Sequence, residues 1–511
     1  MSILNSLDYP FQQQWYKQQN IAVIGWAFDE KYEYFEKDDL GKFFENVGNE
    51  EDFKTLLCRF NGNFAVVIEQ QNFTALAVDH IRSIPLIYRQ TNDSIELLNS
   101  FEWRIDMQLN ENGVEAFKNC WCTLDNETLV AGVDQLQAGQ YLWRPNQEVA
   151  SPKFYFQHLK TQKLTLPDVE EAAQVFKSTF YPYFDQLRGR TALIPLSGGY
   201  DSRLIISLLY QYGYSDIIAY TYGKKNSHEV QIAQKVCETL KIKWHFIEYN
   251  KALFQSFFTE EWEAYSNQNH FFSSLPHEQD FFALAYLRSK NLLPDNFVVI
   301  PGFSGDLLGG SITGFSPKKF DSNHLIHWIK DNHLQNAAIK YDSSYFENIN
   351  SRDQFYDQYQ NWFVINKVTK FIVNAVRLYE YFGGDWLIPF WDKNLIDYWY
   401  QVPYPLRMQQ KFYNEVIFQK FFTPLGIDAV KPGYDDNYPN PTKERIKRNL
   451  PSGVKNMIKL VKKSISVNDV NNLNVLNKMI QDKLKGKSVD SDQINNTHAI
   501  YFLQNLNKSI H

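Results

Sequence analysis

Ser197-Gly198-Gly199-Tyr200-Asp201-Ser202 sets two adjacent glycines, two hydroxyls and one carboxylate side by side. The apolar run 191–196 leads into it and Arg203-Leu204-Ile205-Ile206 leads out. Paired glycines let the backbone approach an anion closely, and a following helix would point its first amides and its positive end at that anion. Ser197 and Ser202 add hydroxyl donors, so the segment reads as a phosphate cradle. Asp201 repels a phosphate unless a cation lies between them, and Mg²⁺ prefers one or two carboxylates together with phosphate oxygens. The loop lacks the lysine and the wider glycine spacing of a Walker A segment. A second loop has the same character. Val298-Val299-Ile300-Pro301 runs into Gly302-Phe303-Ser304-Gly305-Asp306, and carboxylates from two neighbouring strand ends can share one hard cation.

These loops need strands to carry them. The first 155 residues read as β-rich, with strands expected over 21–27, 64–68, 74–78 and 85–88. A polar helix-forming stretch over 167–188 connects them to the remainder. From 191 strand and helix alternate: 217–222 and 244–249 read as strands, and Val230, Ala233, Val236, Cys237 and Leu240 mark one face of a helix between them. That βαβαβ order predicts an α/β fold with a doubly wound parallel sheet and a ligand site at the carboxyl ends of its strands. Past Lys431 a turn-rich run of prolines and asparagines opens a tail over 431–511. Within it, Lys443 to Ile465 is basic, readable as a solvated helix or as a helix for an acidic partner or membrane surface, with Pro451 and Gly453 interrupting it.

The chain has 511 residues, 44% of them hydrophobic, which suits about two to three globular domains. A net charge of −6 gives no overall positive field, so no nucleic-acid partner is expected. The first residues form no secretory leader, and no run of 18 apolar residues occurs, so the expectation is a cytoplasmic protein without a transmembrane segment. Four cysteines make no disulfide framework, and Cys120 and Cys122 read as packing residues.

Residues 197–202 resemble the pyrophosphate loop of the N-type ATP pyrophosphatases, which implies cleavage of ATP between its α and β phosphates. With Phe272-Ser273-Ser274-Leu275-Pro276 upstream and the 302–311 loop downstream, the chain resembles the asparagine synthetase family over much of 20–90 and 190–425. The fold implied is an ATP-pyrophosphatase (adenine nucleotide α-hydrolase-like) domain over 156–430. It is preceded, over 1–155, by a β-rich Ntn-hydrolase-like α+β domain of the class II glutamine amidotransferase type. The resemblance assigns nucleotide binding to Ser197, Gly198, Gly199, Asp201, Ser202, Thr221, Tyr222 and Gly302. It assigns Mg²⁺ to Asp201 and Asp306, substrate contact to Ser273 and Ser274, and the late catalytic lysine to Lys411.

The chain departs from that family at several points. Ser2 stands where the glutaminase nucleophile would be a cysteine, and Ile24 and Trp26 stand where an asparagine and a glutamate would hold glutamine. Phe303 replaces an acidic residue of the second loop, and the stretch Asp385 to Asp392 lacks the family's arginine. The reaction implied is adenylation of a small-molecule or glycan carboxylate, then attack by ammonia or an amine, with no hydrolysis of glutamine. A catalytically inactive nucleotide- or partner-binding scaffold and an RNA-modifying ATP pyrophosphatase are the alternatives, and homo-oligomerisation stays open.

Overall fold

The computed structural model describes residues 3–98, 103–104, 106–160, 167–313, 317, 319–334, 341, 345–346, 349–429, 469–484 and 494–510. Strands β1 (Tyr16–Gln18), β2 (Ile21–Phe28), β4 (Asn61–Glu69), β5 (Phe73–Val78), β9 (Gln140–Pro145) and β10 (Lys153–Phe154) pair in that order, and β3 (Tyr34–Glu36) joins β2. Every pair is antiparallel. A small sheet orders β7 (Ile95–Leu97), β6 (Ile87–Gln90) and β8 (Asp134–Gln135). Strands β4 and β5 are buried almost throughout, because both sheet faces are covered, which explains their continuous apolar runs.

The helix Val169–Asp185, capped by Asp168 on the amides of Glu170 and Glu171, opens the second half. Five parallel strands follow: β11 (Thr191–Pro195), β12 (Ile217–Gly223), β13 (Lys243–Glu248), β14 (Phe297–Val299) and β15 (Asp385–Trp386). They lie in the order β13-β12-β11-β14-β15. The chain winds outward from β11 through the helices Tyr200–Tyr212 and His228–Leu240, then returns to the other side of β11 as β14. The winding reverses between β11 and β14, and a doubly wound sheet opens its ligand crevice there. Both glycine-rich loops leave these two strands.

One apolar core surrounds the parallel sheet and takes in Trp26, Phe28 and Ile81 from the antiparallel half, so the two halves share a packed boundary. Part of the expected tail over 431–511 packs onto the body of the protein. Residues 443–465 lie outside the described residues, but the helices Leu473–Lys483 and Ile494–Ile510 pack back, burying Leu476, Ile480, Ala499 and Phe502. Phe502 stacks on Phe117. Their leucine and phenylalanine content explains this better than the surrounding lysines do. Among the described residues no helix is long and apolar enough to cross a membrane.

Candidate active site

The 196–199 turn lets the helix Tyr200–Tyr212 start at Gly199. Inside it the Gly199 N–H donates to Ser197 Oγ at 3.1 Å and the Ser197 N–H to Ser202 Oγ at 3.2 Å. The two serine hydroxyls lie 3.4 Å apart. The loop is thus pre-shaped by its own serines.

The second loop lies directly against the first. A Cβ on Gly302 would stand 2.6 Å from the Ser202 nitrogen, and one on Gly305 would stand 2.6 Å from Asp201 Cγ, so both positions require glycine for close approach. Ser304 takes a left-handed conformation with φ 71°, which turns the chain into the short helix Gly305–Gly309. As a result the Asp306 N–H donates to Asp201 Oδ2 at 2.8 Å. Asp201 Oδ1 accepts a second hydrogen bond, 2.9 Å from the Tyr413 hydroxyl. Packed neighbours desolvate the Asp306 carboxyl and raise its pKa, while a hydrogen bond from Ser311 and nearby amides oppose that rise. Its residue remains exposed at the mouth.

Tyr413 is the residue that sequence reasoning missed. It is fully buried and packs against Phe176 and Trp399. Its helix, Lys411–Ile417, begins after Gln409 and Gln410, both at positive φ. Lys411 is exposed at the start of this helix. No spacing rule marks a tyrosine that meets an aspartate 212 positions away.

Other expected residues are placed differently. The Thr221 hydroxyl donates to Leu196 O at 2.6 Å and accepts from Trp244 Nε1 at 2.9 Å. Tyr222 stacks on Tyr249 with ring centroids 4.7 Å apart. Both side chains brace the carboxyl ends of β11, β12 and β13. The structure does not bring Ser273 and Ser274 to the loops. They are buried in the wall between the halves, where Ser273 Oγ accepts from Arg82 at 3.1 Å and Ser274 Oγ accepts from Asn374 at 3.0 Å. Their hydroxyls serve that boundary, because a buried hydroxyl must be paired. Asp385 opens β15 at the amino edge and pairs with Arg190, on the far side of the sheet from the loops. Phe303 lies half-buried with its ring 6.3 Å from that of His277.

Ile24 and Trp26 point into apolar clusters. Ile24 is 1% exposed and shares its cluster with Ile3, Leu4 and Ile84, while Trp26 stacks on Tyr34. Ser2 lies outside the described residues. Cys120 and Cys122 are buried and free of a disulfide.

Residues 190–417 match the family model for asparagine synthase. This stretch is an asparagine synthase domain. Such a domain supports an ATP-dependent amide-forming ligase and accounts for the ATP-pyrophosphatase fold of the parallel half. No curated protein matches the chain. Among solved structures it is similar to the NH3-dependent NAD synthetase of Campylobacter jejuni, at 16% identity over 34% of this chain and 80% of that one, with a TM-score of 0.21. It is similar to the NMN synthetase of Francisella tularensis, at 17% identity over 39% and 85%, with a TM-score of 0.19. The glutamine phosphoribosylpyrophosphate amidotransferase of B. subtilis is 11% identical over 57% and 64%, with a TM-score of 0.19.

Proposed function

We propose that the chain activates a carboxylate with ATP, forming an acyl-adenylate and pyrophosphate, and that ammonia or an amine then displaces AMP to give an amide. The observation that carries this reading is the meeting of Asp201 with the second loop at the point where the sheet's winding reverses.

Within this reading the amides of the 197–202 turn and the Ser197 and Ser202 hydroxyls bind the leaving phosphates. The two carboxylates fit a divalent cation. Among the described residues no cluster of three or more ligating side chains occurs, and Mg²⁺ characteristically takes one or two carboxylates plus substrate phosphates and waters rather than a full protein cage. Asp201 and Asp306 would hold it, and when bound it supplies charge to offset the leaving pyrophosphate. The protein's own part is orientation: Tyr413 and the Asp306 amide fix the plane of the Asp201 carboxylate before substrate arrives. Lys411, exposed at the start of the helix that carries Tyr413, is the candidate contact for the reacting acyl phosphate.

Glutamine is not the nitrogen source in this reading. Ile24 and Trp26 fill the positions that would pair with its polar ends, and each unpaired polar group of a buried substrate costs about 1–3 kcal/mol. The antiparallel half then acts as an amidotransferase-like domain with apolar side chains at positions 24 and 26 in place of glutamine-binding ones.

Incubation with Mg²⁺·ATP, ammonium and a panel of small-molecule and glycan carboxylates tests this. AMP and pyrophosphate are expected in equal amounts with one class of carboxylate. The Asp201→Asn and Asp306→Asn variants should each lose on the order of 10²-fold or more in rate, as electrostatic contacts to a transition state do. Release of ADP and phosphate would sink the reading, and glutamate release from added glutamine would sink its nitrogen-source half.

A further inference from the structure

A cavity of about 470 Å³ opens between the two halves, within the size range of small-molecule sites. The helix Arg352–Phe363 and the turn that follows it form one of its walls. Asp357 and Gln360 of that helix are taken up by the protein: Asp357 accepts from Tyr404 and Gln360 accepts from Arg407, each at 2.6 Å. Asn361, Trp362 and Ile365 line the cavity instead.

Three properties of the lining define its ligand. Among the described residues Asp125 is its only acidic or basic side chain, so nothing there balances a phosphate or a nucleotide. Its amides are pre-set by a network. Gln140 Oε1 accepts from Asn126 Nδ2 at 2.7 Å and from the Gln137 N–H at 2.8 Å. Gln137 Nε2 donates to Asn126 Oδ1 at 3.0 Å, and Asn361 Oδ1 accepts from the His158 N–H at 2.9 Å. Asn126 spends both amide atoms on the protein, its Nδ2 donating also to Gln135 O at 2.6 Å, whereas Gln140, Gln137 and Asn361 each spend one, which among the described residues leaves Gln140 Nε2 and Asn361 Nδ2 as donors and Gln137 Oε1 as an acceptor. Finally, the lining is aromatic: Phe346 and Trp362 are buried behind it, Phe154 is half-buried, and Tyr345, 42% exposed with its hydroxyl donating to Asp125 Oδ1, offers the accessible ring.

We propose that this cavity binds a neutral saccharide. A sugar ring carries hydroxyls that donate and accept around its edge, matching donors and an acceptor fixed on different elements, and its C–H face packs on an aromatic ring. A single carboxamide, such as that of glutamine, would satisfy one edge of the site and leave its aromatic wall unused. The proposal is independent of the ligase reading, since no residue of the two loops takes part.

Calorimetric titration of the full chain with glucose, galactose, N-acetylglucosamine and N-acetylgalactosamine, with glucuronic acid and glutamine as comparators, decides it. At least one neutral sugar should bind with a Kd of about 1 mM or tighter, and glucuronic acid should bind more weakly because Asp125 repels it. Gln140→Glu keeps the Oε1 acceptor and removes the Nε2 donor, and Tyr345→Ala removes the exposed ring. Each should weaken binding about tenfold or more. Tyr345 sits at the surface, so its variant carries the test even if Gln140→Glu fails to fold. No binding of any neutral sugar up to about 50 mM, tighter binding of glutamine or glucuronic acid, or wild-type affinity in Tyr345→Ala would each overturn the proposal.

Discussion

Removing one hydroxyl tests whether Asp201 is held ready for a cation. Tyr413 donates to Oδ1 and the Asp306 N–H donates to Oδ2, so two elements pin the carboxylate from opposite ends of its plane. Tyr413→Phe leaves the ring between Phe176 and Trp399 and deletes only the donor. A hydrogen bond to a charged group contributes about 1.5–3 kcal/mol. Asp201 is partly exposed, so water takes the place of the lost donor and the lower end of that range applies. About 1.4 kcal/mol is a tenfold change in affinity. The variant should therefore need about tenfold more Mg²⁺ for half-maximal binding of an ATP analogue that resists α,β cleavage. The assay is a Mg²⁺ titration at fixed analogue concentration, followed by calorimetry, which requires no knowledge of the carboxylate. A change in stability without a change in the Mg²⁺ midpoint would refute the reasoning, for it would mean that Tyr413 only packs.

Two further outcomes follow from the same geometry. Gly305→Ala places a methyl 2.6 Å from Asp201 Cγ and 2.8 Å from Phe390 Cζ, so it should abolish Mg²⁺-dependent analogue binding while the parallel half stays folded by circular dichroism; retained binding would show that the loop relaxes at no cost to the site. Asp392 is buried, and desolvation raises its pKa from 3.8 to about 6 despite hydrogen bonds from Asn61, Tyr32 and two backbone amides. The folded state therefore holds that proton more tightly than the unfolded chain, so the stability contributed is present below about pH 4 and is lost as pH rises through about 6. Urea unfolding of wild type and Asp392→Asn across that window should give a steeper fall for wild type, and parallel curves would show that Asp392 does not titrate there.

The parallel half was legible because its signals are local. Apolar runs at 191–196 and 298–301, each followed by a glycine-rich turn, announce strand ends, and the βαβαβ rhythm fixes which edge of the sheet carries the loops. The adjacency of β11 and β14 was not local, yet the two loops' chemistry implied it. Thr221 and Ser273 were harder to place. A hydroxyl in a motif reads as a ligand contact, but here burial converts it into a structural partner, Thr221 for Leu196 and Ser273 for Arg82. Tyr413 left no trace in the sequence because its role arises only when two distant helices meet. The helices Leu473–Lys483 and Ile494–Ile510 lie beyond the basic stretch 443–465, and their leucines and phenylalanines decide their packing.

The boundary between the halves is held by buried hydrogen bonds. Asn61 donates to the buried Asp392 at 2.7 Å, His80 Nε2 meets Trp391 O at 2.6 Å, and Arg377 donates to Ser83 O at 2.8 Å. Burial keeps His80 neutral by pushing its pKa well below the ordinary value, so it pairs with the carbonyl at no cost in charge. Each bond joins one half to the other. Separating them would take Asn61 and Tyr32 from Asp392 and Ser83 from Arg377, which would keep the Asn394 and Leu395 amides and Glu380 respectively. The antiparallel half is thus tied to the segment 377–392 that leads into and follows β15, a strand of the sheet that carries both loops. None of these bonds involves Ile24 or Trp26, so the side chains at those two positions can change while the tie between the halves stays in place.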